Sequence, residues 1–132
     1  MDSRRLFERI AEYKKALARL QQALQEPENE LIRDAVIQRF EFTFELAWKT
    51  IKLYLEFQNI EVRSPRDTLR EALKLGLIDD GNVWSLLLEK RNLTSHTYDE
   101  NLAIEVYQFV KYTGVRLFLE LESKIELKIG NI

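Results

Sequence analysis

The sequence predicts an all-α protein, an up-and-down bundle of about five helices. Two observations carry this expectation. Apolar residues recur at alternating steps of three and four over most of the chain, the period of a helix face. The 132 residues also include only four Gly and two Pro, a balance that suits long amphipathic helices better than a sheet with many turns. The length suits a single core, so residues 1–132 are read as one helical domain.

The elements follow in order. From residue 2 to about 26, Leu6, Ile10, Tyr13, Leu17, Leu20 and Leu24 form one stripe, and Pro27 within "EPENE" ends the helix. The next segment carries a strand-like alternation in "FEFTFELAW" (40–48), but residues 28 to 58 contain neither Gly nor Pro. Here Ile37, Phe40, Phe44, Trp48, Ile51 and Leu55 form one helical stripe, and Phe42, Leu46, Leu53 and Phe57 form a second. A helix apolar on two sides has to be covered on two sides, by its own bundle and by a second subunit. Ser64, Pro65 and Asp67 mark the start of a third helix, which Gly76 ends. "DDGN" (79–82) turns the chain into a fourth helix with Val83, Trp84, Leu87 and Leu88. A fifth runs from near Asp99 to about 128 along Ala103, Tyr107, Val110, Gly114, Leu117 and Leu121. Close approach of a neighbouring helix is one reading of Gly114, and indifference is the other. Leu102, Val106 and Phe109 widen the apolar surface of this last helix. Surplus apolar surface on two long helices points to a homodimer, against the alternative of a monomer with a broad core.

Composition narrows the function. The chain has no Cys, which removes disulfides, thiolate metal sites and a Cys nucleophile, and fits a reducing compartment. No apolar run approaches a membrane span, and "MDSRRLFERI" lacks the hydrophobic stretch of a secretory signal. A soluble cytoplasmic protein without a membrane partner is the expectation. Net charge is -2, so any contact with nucleic acid has to be local. No Gly-rich phosphate loop is present, and no second His or Cys stands by to build a metal site around His96. The Gly-Ser and Asp-x-Asp pattern with which a nucleotidyltransferase holds its metal ions is also missing. Neither a cofactor nor a metal is expected.

What remains is "RNLTSHTYDE" (91–100), which holds the one histidine. On an unbroken helix Arg91 and His96 would point roughly 140° apart. Asn92, Thr94 and Ser95 are poorer helix formers than Ala or Leu, so the fourth helix is expected to end inside the motif and let His96 swing back toward Arg91. If residues 96 to 98 are extended, His96 and Tyr98 point the same way. Arg91, His96 and Tyr98 would then line one polar site, supported by Asn92 and Ser95. Such a set suits metal-free cleavage of an RNA phosphodiester by the ribose 2′-hydroxyl. The imidazole moves a proton near neutral pH, and the guanidinium holds the phosphate oxygens as charge builds. One His serves poorly as both base and acid, so a two-fold interface joining two motifs makes a better site. The plainer reading makes His96 a partly buried hydrogen-bonding residue, Arg91 a cation at a helix C-terminus, and Tyr98 a ring packed at a helix entry.

The segment Arg91-Asn92 followed by His96 resembles the Arg-x4-6-His signature of HEPN domains, and Tyr98 extends it to the Arg-x4-His-x-Tyr form of HepT-type toxins. "RFEFTFELAWKTIKLYLE" (39–56) and "SPRDTLREALKLGLIDD" (64–80) resemble the branch labelled nucleotidyltransferase substrate-binding proteins. The resemblance implies a cytoplasmic homodimer of HEPN-like domains, encoded beside a minimal nucleotidyltransferase (MNT) with which it forms a toxin–antitoxin pair. It implies a metal-independent endoribonuclease with Arg91 and His96 at the dimer cleft, and AMP transfer to Tyr98 by the partner. A non-catalytic substrate-binding subunit of a two-component nucleotidyltransferase is the alternative, and a helical scaffold a third. Arg63, Arg66, Arg70 and Lys74 form a basic stripe that could track RNA phosphates or meet an acidic partner. With Asp67 and Glu71 interleaved, it also reads as an ordinary solvated face.

Overall fold

A computed structural model describes residues 3–128. Every regular element among them is helical. Helix α1 covers Arg4–Leu24, α2 Glu30–Phe57, α3 Pro65–Lys74 and α4 Gly81–Leu93. The last helix is continuous but not uniform, with α5 (Glu100–Phe109), one π-turn (Val110–Gly114) and α6 (Val115–Lys128). The expected start of the first helix at residue 2 lies outside the described residues, as do the ends of the 1–132 domain.

The helix boundaries follow from side-chain oxygens that satisfy free backbone N–H groups. Asn29 accepts from Ile32 at 2.8 Å, Ser64 from Asp67 at 3.1 Å, and Asp80 from Asn82 and Val83 at 3.0 and 3.2 Å. Pro65 sits in the first turn of α3, and beyond its end Gly76 adopts φ +77, a left-handed conformation that an L side chain would strain.

Helix α2 is the centre of the bundle and touches α1, α3, α4 and α5. Its inner face buries Ile37, Phe40, Phe44, Ile51 and Leu55, while Trp48 on the same stripe is half-buried. The strand-like alternation at 40–48 is therefore overridden by length and packing. On the second stripe Phe42 stays 50% exposed, with Leu46, Leu53 and Phe57 half-buried. Phe118 of α6 is the hub of the core, edge-on to Tyr13 at 6.4 Å and to Trp84 at 6.0 Å between ring centroids. Tyr13 donates its hydroxyl proton to the Phe118 carbonyl at 2.6 Å, tying α1 to α6. Burial pushes the Tyr13 hydroxyl well above the usual tyrosine range, with a further push from the Glu122 carboxylate.

Gly114 closes the π-turn. A methyl group at that position would lie 3.1 Å from Leu87 Cδ1, so the missing side chain lets α4 press against the last helix. Among the described residues, no helix is long and apolar enough to cross a membrane.

Candidate functional site

Helix α4 ends inside the motif, and its own hydroxyls account for the ending. Thr94 Oγ1 donates to the Arg91 carbonyl at 2.7 Å, Ser95 Oγ to the Asn92 carbonyl at 3.5 Å, and Thr97 Oγ1 to the Thr94 carbonyl at 3.0 Å. Carbonyls left free at a helix C-terminus thus find local donors, and the chain tightens into a 3₁₀ turn over Thr94–His96. Asp99 then caps α5 by accepting from Leu102 N at 3.2 Å.

Residues 96 to 98 are not extended. The Asp99 N–H donates to the His96 carbonyl at 3.2 Å, and Thr97 has φ -78 and ψ 6, so the chain turns here. His96 and Tyr98 still meet, edge to face with centroids 6.2 Å apart. The turn, rather than the alternation of a strand, brings them together. Both are exposed, Tyr98 at 88%. The imidazole has no hydrogen-bond partner among the described residues. The reading of His96 as a buried hydrogen-bonding residue and of Tyr98 as a packed ring therefore does not hold.

Arg91 faces a different neighbour. Its Nη2 pairs with Glu45 Oε1 on α2, and its Nη1 donates to Asn92 Oδ1 at 3.3 Å. The other Glu45 oxygen accepts from Trp48 Nε1 at 3.2 Å and lies 3.7 Å from Lys49 Nζ. Glu45 thus fixes the guanidinium through a carboxylate that is itself held. Arg91 opens onto a cleft of about 350 Å³ shared with Glu41, Phe42, Asn92 and Ser95. Tyr98 lines a second cleft of about 440 Å³, together with Glu30, Arg33 and Asp34. His96 lines neither of these, although its chain neighbours Ser95 and Thr97 each line one.

Within this chain, then, Arg91 is brought to Asn92 and Glu45, and His96 to Tyr98, while no hydrogen bond or ion pair links Arg91 to His96. Ser95 supports the site by stopping the helix. Of the basic stripe, Arg66, Arg70 and Lys74 lie on α3 and Arg63 just before it. Arg63 pairs with Glu61 at 3.8 Å, Arg70 with Asp67 at 3.4 Å and Lys74 with Glu71 at 3.3 Å, whereas Arg66 and Arg70 border a cleft against α4. Sequence reasoning missed Glu45. Its signal was its place on α2 between the two apolar stripes, one turn after Glu41, where carboxylates invite a cation.

Comparison with known proteins places this geometry. Residues 8–126, which include the whole motif, match the family described as nucleotidyltransferase substrate binding protein like. A Haemophilus influenzae protein named probable ribonuclease HepT is 43% identical over 76 residues, covering 54% of this chain and 52% of that relative. The chain thus spans about half the length of this curated relative. Among solved structures, one from Thermus thermophilus superposes with TM-score 0.79 at 35% identity, over 86% of this chain and 98% of the other. A second, from Haemophilus influenzae and described as revealing the fold of a substrate binding domain of a nucleotidyltransferase, gives TM-score 0.68 at 27% identity, over 95% and 99%. The helical bundle and the family match over residues 8–126 make this chain a member of the nucleotidyltransferase substrate binding protein like family.

Proposed function

We propose that this protein is a HepT-like toxin ribonuclease that acts as a homodimer, with two copies of the Arg91–His96 motif facing each other across one cleft. The observation that carries the reading is the exposure of His96 and Tyr98, free of hydrogen bonds, on the turn that follows the helix end where Glu45 holds the Arg91 guanidinium. The half-exposed Phe42 ring borders the Arg91 cleft and supplies apolar surface there for a second copy. One imidazole takes the proton of the ribose 2′-hydroxyl, whose oxygen attacks the adjacent phosphorus. The second imidazole protonates the departing 5′-oxygen, leaving a 2′,3′-cyclic phosphate and a 5′-hydroxyl. Arg91 stabilises the charge on the non-bridging oxygens. Asn92 steadies Arg91, and Ser95 fixes the turn.

The name borne by the Haemophilus influenzae relative supports this chemistry. Purified protein incubated with RNA and a chelator should yield cyclic-phosphate ends, and His96→Ala should lower cleavage by roughly 10²- to 10⁴-fold. Equal cleavage by that variant would remove the mechanism.

A nucleotidyltransferase encoded nearby is the proposed antitoxin. The Tyr98 oxygen, exposed at the motif, would attack the α-phosphorus of ATP and release pyrophosphate. The bound AMP would add bulk and negative charge beside the cleft. A mass gain of one adenylyl group on Tyr98 in the co-expressed pair tests this step. The second reading is a non-catalytic subunit that presents substrate to such a nucleotidyltransferase. It is favoured by the family description and by the likeness to the substrate binding domain from Haemophilus influenzae. It predicts a stable complex and no cleavage by the purified dimer.

A further inference from the structure

We propose that a further, cationic cleft, between the first turns of α1 and the second half of α2, is the track along which single-stranded RNA lies as it enters the site. The cleft has a volume of about 250 Å³ and is lined by Arg5, Arg9, Lys49 and Lys52, with Glu56 as its single acid and Trp48 as its one aromatic ring. In a chain of net charge -2, four cations against one carboxylate is a local reversal of sign, the condition that the overall charge imposed on any contact with nucleic acid. The cations are not used up internally. Arg9 lies 3.9 Å from Glu12 and Lys49 3.7 Å from Glu45, both outer-range pairs, while Arg5 and Lys52 form no ion pair among the described residues.

The spacing suits a polynucleotide. Arg5 and Arg9 are one helical turn apart on α1, a rise on the order of 6 Å, and Lys49 and Lys52 lie on one face of α2, about 4.5 Å apart along its axis. Two rows of cations at this pitch can grip successive phosphates. Trp48 lies between them, half-buried, with the Lys52 amine 6.0 Å from its ring centroid. An indole flanked by cations is the arrangement by which single-stranded nucleic acid is held without regard to sequence, bases stacking on the ring and phosphates on the amines. An acidic protein surface would use the cations and leave the ring idle, so RNA is the better match.

The track is joined to the motif. Glu45 accepts from Trp48 Nε1 at 3.2 Å through one oxygen and holds Arg91 through the other. Lys52 is seven residues beyond Glu45 on the same helix, a rise of roughly 10 Å, so a strand gripped in the cleft needs only a few nucleotides to reach Arg91. The inference rests on the nuclease reading only for the identity of the RNA as substrate.

The test uses full-length protein carrying His96→Ala, so that RNA stays intact, and a labelled single-stranded RNA oligonucleotide. Adding Arg5→Glu and Lys52→Glu should weaken binding by roughly 10- to 100-fold and reduce the slope of log affinity against log salt by roughly 1.4. Trp48→Ala should weaken binding by roughly 5- to 100-fold, with Trp48→Phe recovering much of it because a ring still stacks. Thermal melts establish that each variant is folded. RNA affinity and salt slope unchanged in the folded charge-reversal variant would overturn the proposal. So would loss of the nucleotidyltransferase complex with RNA binding intact, since the cleft would then be a protein interface. If wild-type protein cleaves nothing, yet the charge reversal abolishes RNA binding, the track stands and the nuclease reading falls.

Discussion

The ring pair at the motif and the rings around Phe118 share one geometry in opposite surroundings. His96 meets Tyr98 at 6.2 Å and 73°, and Tyr13 meets Phe118 at 6.4 Å and 70°. In the core Phe118 and Tyr13 are both fully buried, and the Tyr13 hydroxyl is committed to a backbone carbonyl. At the corner Tyr98 is 88% exposed and the imidazole is uncommitted. Edge-to-face contact therefore does not distinguish a pair committed to the core from one left open to solvent. What distinguishes them is whether the polar atom has a partner, because a buried donor without one is costly and an exposed one stays free for chemistry.

This contrast predicts that the two regions fail in different ways. The largest effect is expected at the corner, where His96→Ala should reduce RNA cleavage by roughly 10²- to 10⁴-fold and leave the melting temperature unchanged. A parallel loss of stability would show that the corner belongs to the core after all. Phe118→Ala should do the reverse. Removing a ring that touches Tyr13, Phe40 and Trp84 should cost about 3–5 kcal/mol, read as a lower denaturant midpoint. Protein that remains folded in that variant should retain the cleavage rate per folded molecule.

Much of this contrast was legible in the sequence. The stripes of α1 and α2 were readable because burial repeats with the helical period, and the starts of α3 and α4 because their capping side chains are local. The end of α4 was readable for the same reason, since Asn92, Thr94 and Ser95 are residues that compete for backbone hydrogen bonds. The π-turn was not, because Ala103, Tyr107, Val110, Gly114 and Leu117 keep a spacing that a straight helix satisfies equally well. Gly114 hinted only at close approach, and it took Leu87 from another helix to give that hint a cause. The turn at residues 96 to 98 was misjudged because it is closed by a backbone hydrogen bond, which no side chain announces. Glu45 and the cationic cleft were missed because their members are distant along the chain: 46 residues separate Glu45 from Arg91, and the cleft joins two helices. Period and local chemistry are written in sequence, but pairing across helices is not.

Glu45 sharpens the contrast at the level of the site itself. In the proposed site a carboxylate that orients Arg91 also lies where a substrate phosphate would have to come, so it would help through geometry and oppose through charge. Glu45→Gln keeps an oxygen for the guanidinium and removes the charge. Repulsion of about 1 kcal/mol at this half-exposed position would appear as a KM for RNA roughly fivefold lower, with kcat little changed. A fall in kcat instead would mean that the charge is needed to aim Arg91.

The smallest effect belongs to the committed hydroxyl. Tyr13→Phe removes one buried hydrogen bond and should cost about 1 kcal/mol near neutral pH. Its pH dependence tests the contrast more closely than its size. An unfolded tyrosine ionises near 10.0, while burial and then Glu122 hold the proton of folded Tyr13 to higher pH. Between those two values the folded chain binds more protons than the unfolded one, so the contribution of Tyr13 is full below pH 10.0 and declines as pH rises beyond it. Melting curves from about pH 9 to about pH 11 should show wild type losing stability faster than Tyr13→Phe, with the gap between them closing. Parallel curves for wild type and Tyr13→Phe would mean that the core does not hold the Tyr13 proton, and the commitment that sets the buried ring pair apart would disappear.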